Sequence, residues 1–172
     1  MSVSDLMTAE FLNYHCWANL RLLDACLELT PGQLASSAPG TYGSIYDTLV
    51  HIVKSEAGYY KRISGIQLDP PFAWESAPSV AEIRAFAERT GKGLQEAAGG
   101  MLITDTIERY WNEPEWEGLP MRYKKGGLLI QVLDHGVEHR TNITTIMAQY
   151  GIKTPEIDGW EYMRLNPDRM GA

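Results

Sequence analysis

Positive charge is scarce in this chain. Fifteen Lys and Arg stand against 22 Asp and Glu in 172 residues, a formal net charge of -7. That balance excludes a dedicated nucleic-acid binder, whose affinity rests on a basic face laid against the phosphate backbone. The short basic runs, Lys61-Arg62 and Lys124-Lys125, read as solvated ends of elements. Cysteine is equally sparse. Cys16 and Cys26 are the whole complement, and both fall in a helix-like segment, so no disulfide framework is implied and a reducing cytoplasm fits. No stretch approaches the roughly 18 consecutive apolar residues of a membrane span. The N-terminal MSVSDLMTAEFLNYHCWANLRLL lacks the basic start and unbroken apolar centre of a secretory signal. Internal repeats and low-complexity segments are absent too.

What is present is ordinary globular material, 44% hydrophobic and 22% charged, which reads as a single domain over residues 1–172. A chain of this size buries roughly 70% of its unfolded surface. It needs neither a disulfide nor a metal merely to fold, so a metal here would serve chemistry.

Apolar residues recur at helical spacing in four long segments. Residues 4–29 carry Leu6, Phe11, Tyr14, Ala18, Leu22, Ala25 and Leu29 behind Ser4 as N-cap. A turn-rich loop bracketed by Pro31-Gly32 and Pro39-Gly40 follows. Ser44 and Asp47 then resemble a capping box and open a second helix, with Ile45, Leu49, Ile52, Val53, Tyr60 and Ile63 along it and Gly65 as its stop. Ser79 with Glu82 opens a third, presenting Val80, Ile83, Phe86, Ala87 and Leu94, which Gly91 and Gly93 weaken by about 1 kcal/mol each relative to Ala. Residues 103–124 change character: aromatic and β-branched runs flank the turn-like NEPEWEG, which predicts a short hairpin or extended crossover. Residues 127–150 form the last long helix, ended by Gly151, and Asp158–Leu165 a short one. The expected fold is an all-α four-helix bundle with a short extended or hairpin crossover before the last long helix.

Within that last helix, LDHGVEHRTN places His135 and His139 four apart. Such positions share a helix face with Cβ atoms about 5–6 Å apart, so two imidazoles can converge on one ion. The stripe also carries Val132 and Ile143, where an unpartnered polar side chain is costly. Spacing alone admits two readings: a ligand pair, or core histidines hydrogen-bonded to backbone or Glu. His51, seven residues past the Ser44 cap, shares its stripe with Ser44, Thr48, Ser55 and Gly58. That small, polar face suits a close helix contact or a solvated cavity, or simply an exposed histidine on a wet face, the reading His51 favours when taken alone. His15 reads as a core or interface histidine and Cys16 as a small buried hydrophobe. The aromatics Tyr110, Trp111, Trp116, Tyr123, Trp160 and Tyr162 either pack over the bundle mouth or wall a pocket.

Three stretches, NYHCWANLRLLDAC, TYGSIYDTLVHIVKSEAGYYKRI and LLIQVLDHGVEHRTNITTIMAQYG, together resemble the DinB/YfiT family of metal-binding proteins, and the likeness spans nearly the whole chain. The resemblance implies a four-helix bundle in which one histidine of the second helix and the H-x-x-x-H pair of the last long helix hold a divalent metal, zinc or nickel in many members. Carried over position by position, these are His51, His135 and His139. The family often continues the last histidine with Arg-Gly-Gln, whereas this chain has Arg140-Thr141-Asn142. That departure leaves the ligands intact and bears on helix packing or a partner contact.

The resemblance further implies a homodimer, formed through helix faces. Some relatives transfer low-molecular-weight thiols such as bacillithiol or mycothiol onto electrophiles, or isomerise with a thiol cofactor, and many have no known activity. The expected function is therefore a metal-dependent enzyme that activates a thiol or water at a three-histidine site and acts on a small-molecule substrate. Its catalytic residues beyond the metal ligands are not identified by the sequence. The alternative is a non-catalytic dimeric stress protein that binds a metal or a small ligand. The family name refers to DNA-damage-induced expression and implies no contact with DNA.

Overall fold

A computed structural model describes residues 3–68, 72–98, 106–110 and 120–169. Its long helices are α1 (Val3–Cys26), α3 (Ile45–Ser64), α4 (Val80–Ala98) and α5 (Lys125–Gln149), with a one-turn α2 (Pro31–Leu34) and a short α6 (Gly159–Leu165). The strands β1 (Thr106–Tyr110) and β2 (Pro120–Lys124) pair antiparallel, Thr106 opposite Lys124 and Tyr110 opposite Pro120. β2 runs directly into α5. The all-α bundle with a hairpin crossover is therefore the observed fold. Among the described residues no helix is long and apolar enough to cross a membrane.

Local chemistry sets the helix ends. The Asp47 N–H donates to Ser44 Oγ at 3.1 Å while Asp47 Oδ2 accepts from the Ser44 N–H, which fixes the start of α3. Gly65 ends it in the left-handed region at φ 76°, its N–H returning to the Lys61 carbonyl. Ser79 and Glu82 form the same reciprocal pair at α4. Thr30-Pro31-Gly32-Gln33, expected as loop, is itself a capping box with proline in the first turn, and that chemistry nucleates α2. The two glycines that weaken α4 have packing reasons. A Cβ on Gly91 would lie 3.0 Å from Cys16 Sγ, and one on Gly93 would lie 2.6 Å from the Tyr60 ring.

In cross-section α1 and α3 each pack against both α4 and α5, so the four long helices close a ring. The core inside is divided. One apolar cluster contains Leu22, Leu49, Val53, Ile83, Phe86 and Ile143; the other contains Leu12, Tyr60, Leu94, Leu128 and Val132. Between them every helix contributes a buried or half-buried polar or small residue at the same level: His15 and Asn19 from α1, Glu56 from α3, Thr90 and Gly91 from α4, His135, Gly136, His139 and Arg140 from α5.

The α1 stripe differs from the expected one at Phe11, which is 51% exposed. Leu12, His15, Cys16 and Asn19 take the inner face instead, because the polar layer draws His15 and Asn19 inward. The tail packs back on α1. Tyr162 lies edge-on to Tyr14 and Trp17 and donates to Glu10 at 2.6 Å, and Tyr14 donates to the Ile157 carbonyl. Trp160 is exposed and Tyr123 packs beside the second apolar cluster. Trp111, Trp116 and the Tyr110 side chain lie outside the described residues.

Candidate metal centre

His51 on α3 and His135 and His139 on α5 meet where those two helices pack. The ring centroids lie 4.9 Å (His51 to His135), 4.6 Å (His51 to His139) and 4.4 Å (His135 to His139) apart. One nitrogen from each ring lies within 4.8 Å of the other two. His51 Nε2 and His135 Nε2 are 2.9 Å apart, a contact that requires one of the two to carry a proton and the other a lone pair. Imidazoles on a tetrahedral zinc at about 2.05 Å sit roughly 3.3 Å from each other. The observed spacing is compatible with such a ligand set.

Two further observations fit a cation. His139 Nδ1 is buried and has no hydrogen-bond partner among the described residues, a costly arrangement unless something that binds supplies the partner. All three rings are also pushed toward the neutral form. Burial pushes the His135 imidazole down to about 4, and the neighbouring His139 and His51 add to the effect. His51 is lowered by burial and then by His139, and His139 by burial, with Glu138 opposing in both. Neutral imidazole is the ligating form.

The surroundings were not legible in the sequence. Tyr42, from the loop before α3, stacks on His51 at 4.1 Å between centroids and meets His139 edge-on at 5.0 Å. Tyr59 meets His135 edge-on at 5.7 Å. The Tyr42 N–H donates to Asn142 Oδ1 at 2.7 Å, and Asn142 in turn donates to the Glu138 carbonyl. Among the described residues no carboxylate hydrogen-bonds to any of the three rings.

His15 belongs to a second cluster behind α5. Its Nε2 lies 2.9 Å from Glu56 Oε2, Asn19 Nδ2 donates to the same oxygen at 2.6 Å, and Arg140 Nη1 donates to Asn19 Oδ1 at 2.7 Å. All four residues are buried. Gly136 makes this possible, since a Cβ there would lie 2.5 Å from His15 Cε1 and 2.8 Å from Arg140 Nη1. The cluster ties α1 to both helices that carry the three clustered histidines. Cys16 is buried beside it, its S–H donating to the Gly91 carbonyl at 3.5 Å, and burial raises its pKa far above the usual thiol range.

The histidine geometry, the bundle and the sequence converge on one family, because the description "DinB family" matches residues 1–170. The chain belongs to the DinB family. It is also 26% identical over 155 residues to Protein DinB of Bacillus subtilis (strain 168), which covers 87% of this chain and 90% of that protein. DinB-family proteins are metal-binding, and three histidines gathered this closely could hold an ion. The departure at residues 141–142 has a structural counterpart here: Asn142 accepts from the Tyr42 N–H and so holds Tyr42 beside the histidines.

Proposed function

We propose that His51, His135 and His139 bind a divalent cation, zinc or nickel, and that this DinB-family chain is a metal-dependent enzyme acting on a small molecule through a thiol or a water. The carrying observation is the convergence of three imidazoles from α3 and α5, one nitrogen of each within 4.8 Å of the others, together with a buried His139 Nδ1 that has no hydrogen-bond partner among the described residues. Three protein ligands leave room for a substrate atom, as at catalytic rather than closed structural sites. An ion held there supplies Lewis acidity, lowering the pKa of a thiol or water beside it.

The chain's own residues favour the thiol. Attack by water calls for a positioned base, and among the described residues no carboxylate hydrogen-bonds to the ligand rings. A thiol starts from a pKa near 8.5 and needs much less help. That thiol does not come from the protein, because Cys16 and Cys26 are buried and burial holds both protonated, Cys26 pushed up to about 12. A low-molecular-weight thiol cosubstrate is the source. The two free cysteines suit a reducing cytoplasm. An apolar groove of about 600 Å³ lined by Met7, Phe11, Leu133, Val137 and Met163 supports a homodimer through the α1, α5 and α6 face.

That no carboxylate hydrogen-bonds to the rings among the described residues also favours a second reading, a dimeric protein that binds metal or a small ligand without turnover. A panel of low-molecular-weight thiols with an electrophilic acceptor separates the two, run on metal-stripped, zinc-loaded and nickel-loaded protein and on His135→Ala. Thiol transfer by loaded wild type alone supports the enzyme. Metal retained with no turnover for any thiol favours the binder.

A further inference from the structure

A groove of about 730 Å³ runs along α3 from His51 to Arg62, floored by Ser55 and Gly58 and walled by Tyr59 and Trp74. Its cations stand out in a chain of net charge -7. Lys54, one turn past His51, lines the groove, is exposed, and makes no hydrogen bond or ion pair among the described residues. Arg62 folds back over Gly58, its Nη1 only 2.8 Å from where a Cβ on that glycine would sit. Two carboxylates also line the groove. Asp47 is engaged by the Ser44 cap, and Glu75 is exposed at the rim. Gly58 lies mid-helix, where glycine is unfavourable, and its missing Cβ gives the Arg62 guanidinium the room it occupies.

Resting on the three-histidine metal reading, we infer that this groove binds an elongated small-molecule carboxylate. Arg62 and Lys54 hold its acid group and the aromatic walls hold its middle, while its far end reaches the histidines. The guanidinium fork matches a carboxylate in two parallel hydrogen bonds. Gly58 lies seven residues past His51, about 10 Å along the helix axis. The ligand therefore separates its acid from its metal-facing atom by about 10 Å.

The test uses probes of that length. 8-Mercaptooctanoate spans about 10 Å from sulfur to carboxylate, the seven-residue helical rise the groove spans; 8-mercaptooctanamide has the same length without the charge, and octanoate and octanamide lack the sulfur. Calorimetric titration into zinc-loaded full-length protein is expected to favour each acid over its amide by about tenfold, as a charge-assisted pair gives. Arg62→Met and Gly58→Ala should both lose most of that preference while keeping the wild-type helical spectrum, Gly58→Ala because its Cβ displaces the guanidinium. Equal binding of acid and amide to wild type overturns the inference, as does a preference that survives both variants or no binding of any probe at millimolar concentration. Failure of the metal reading looks different: octanoate is still preferred over octanamide, but the thiol adds nothing and zinc makes no difference.

Discussion

The Tyr42 backbone N–H and the Asn142 side-chain oxygen are joined by a 2.7 Å hydrogen bond across 100 residues of sequence. That bond fixes the loop before α3 to the helix that carries His135 and His139, and so holds the Tyr42 ring against His51. Asn142→Ala should leave the fold intact, costing about 0.5–1.5 kcal/mol for one hydrogen bond, and should loosen Tyr42. The check is metal dissociation followed with a chromogenic chelator, in which zinc should leave the variant faster than wild type at a similar melting temperature.

Glu56 has a different role from the one a carboxylate near a metal site invites. It faces His15 and Asn19 inside the bundle, in a cluster that also contains the buried Arg140. Removing one partner of a buried charged cluster leaves the others uncompensated, so Glu56→Ala should cost about 3–5 kcal/mol in chemical denaturation. Glu56→Gln preserves shape and one acceptor and should cost clearly less.

Gly136 gives a prediction of sign. At an exposed helix position Gly→Ala stabilises by up to about 1 kcal/mol. Here the added Cβ would meet His15 Cε1 at 2.5 Å and His15 Nδ1 at 2.7 Å. His15 is itself buried and cannot swing away, and overpacking of this kind costs about 1–3 kcal/mol. Gly136→Ala should therefore be destabilising in denaturant melts, while Gly58→Ala on α3 should not.

The neutral histidines set a pH dependence. All three have folded-state pKa values below the ordinary imidazole 6.5, His135 at about 4. Between those values the unfolded chain binds more protons than the folded one, so metal-free stability falls as pH drops from about 6.5 toward 4 and is insensitive to these groups above about 7. The metal-free melting temperature measured from pH 8 to 4.5 should show that decline, and His135→Gln should flatten it.

The sequence carried the bundle well, because long helices with regular apolar spacing and reciprocal Ser44–Asp47 and Ser79–Glu82 caps are local signals. It carried the histidine pair as well, since four residues on one helix fix a shared face. Joining His51 to that pair took the family resemblance: the distance between α3 and α5 is a tertiary fact. The polar layer was hidden for the same reason. His15, Asn19, Glu56 and Arg140 come from three helices, and only their packing explains Gly136. Tyr42 was missed because it sits in a loop with no periodicity, where ring stacking on His51 leaves no sequence trace.

The central claim is that one ion sits between α3 and α5 on His51, His135 and His139. Elemental analysis of protein purified without an affinity tag, beside His51→Ala, tests it most directly. The account predicts near-stoichiometric zinc or nickel in wild type, lost in a variant that keeps its helical spectrum. Wild type that carries no metal and takes up neither zinc nor nickel would contradict it, leaving the three histidines as a polar contact between two packed helices.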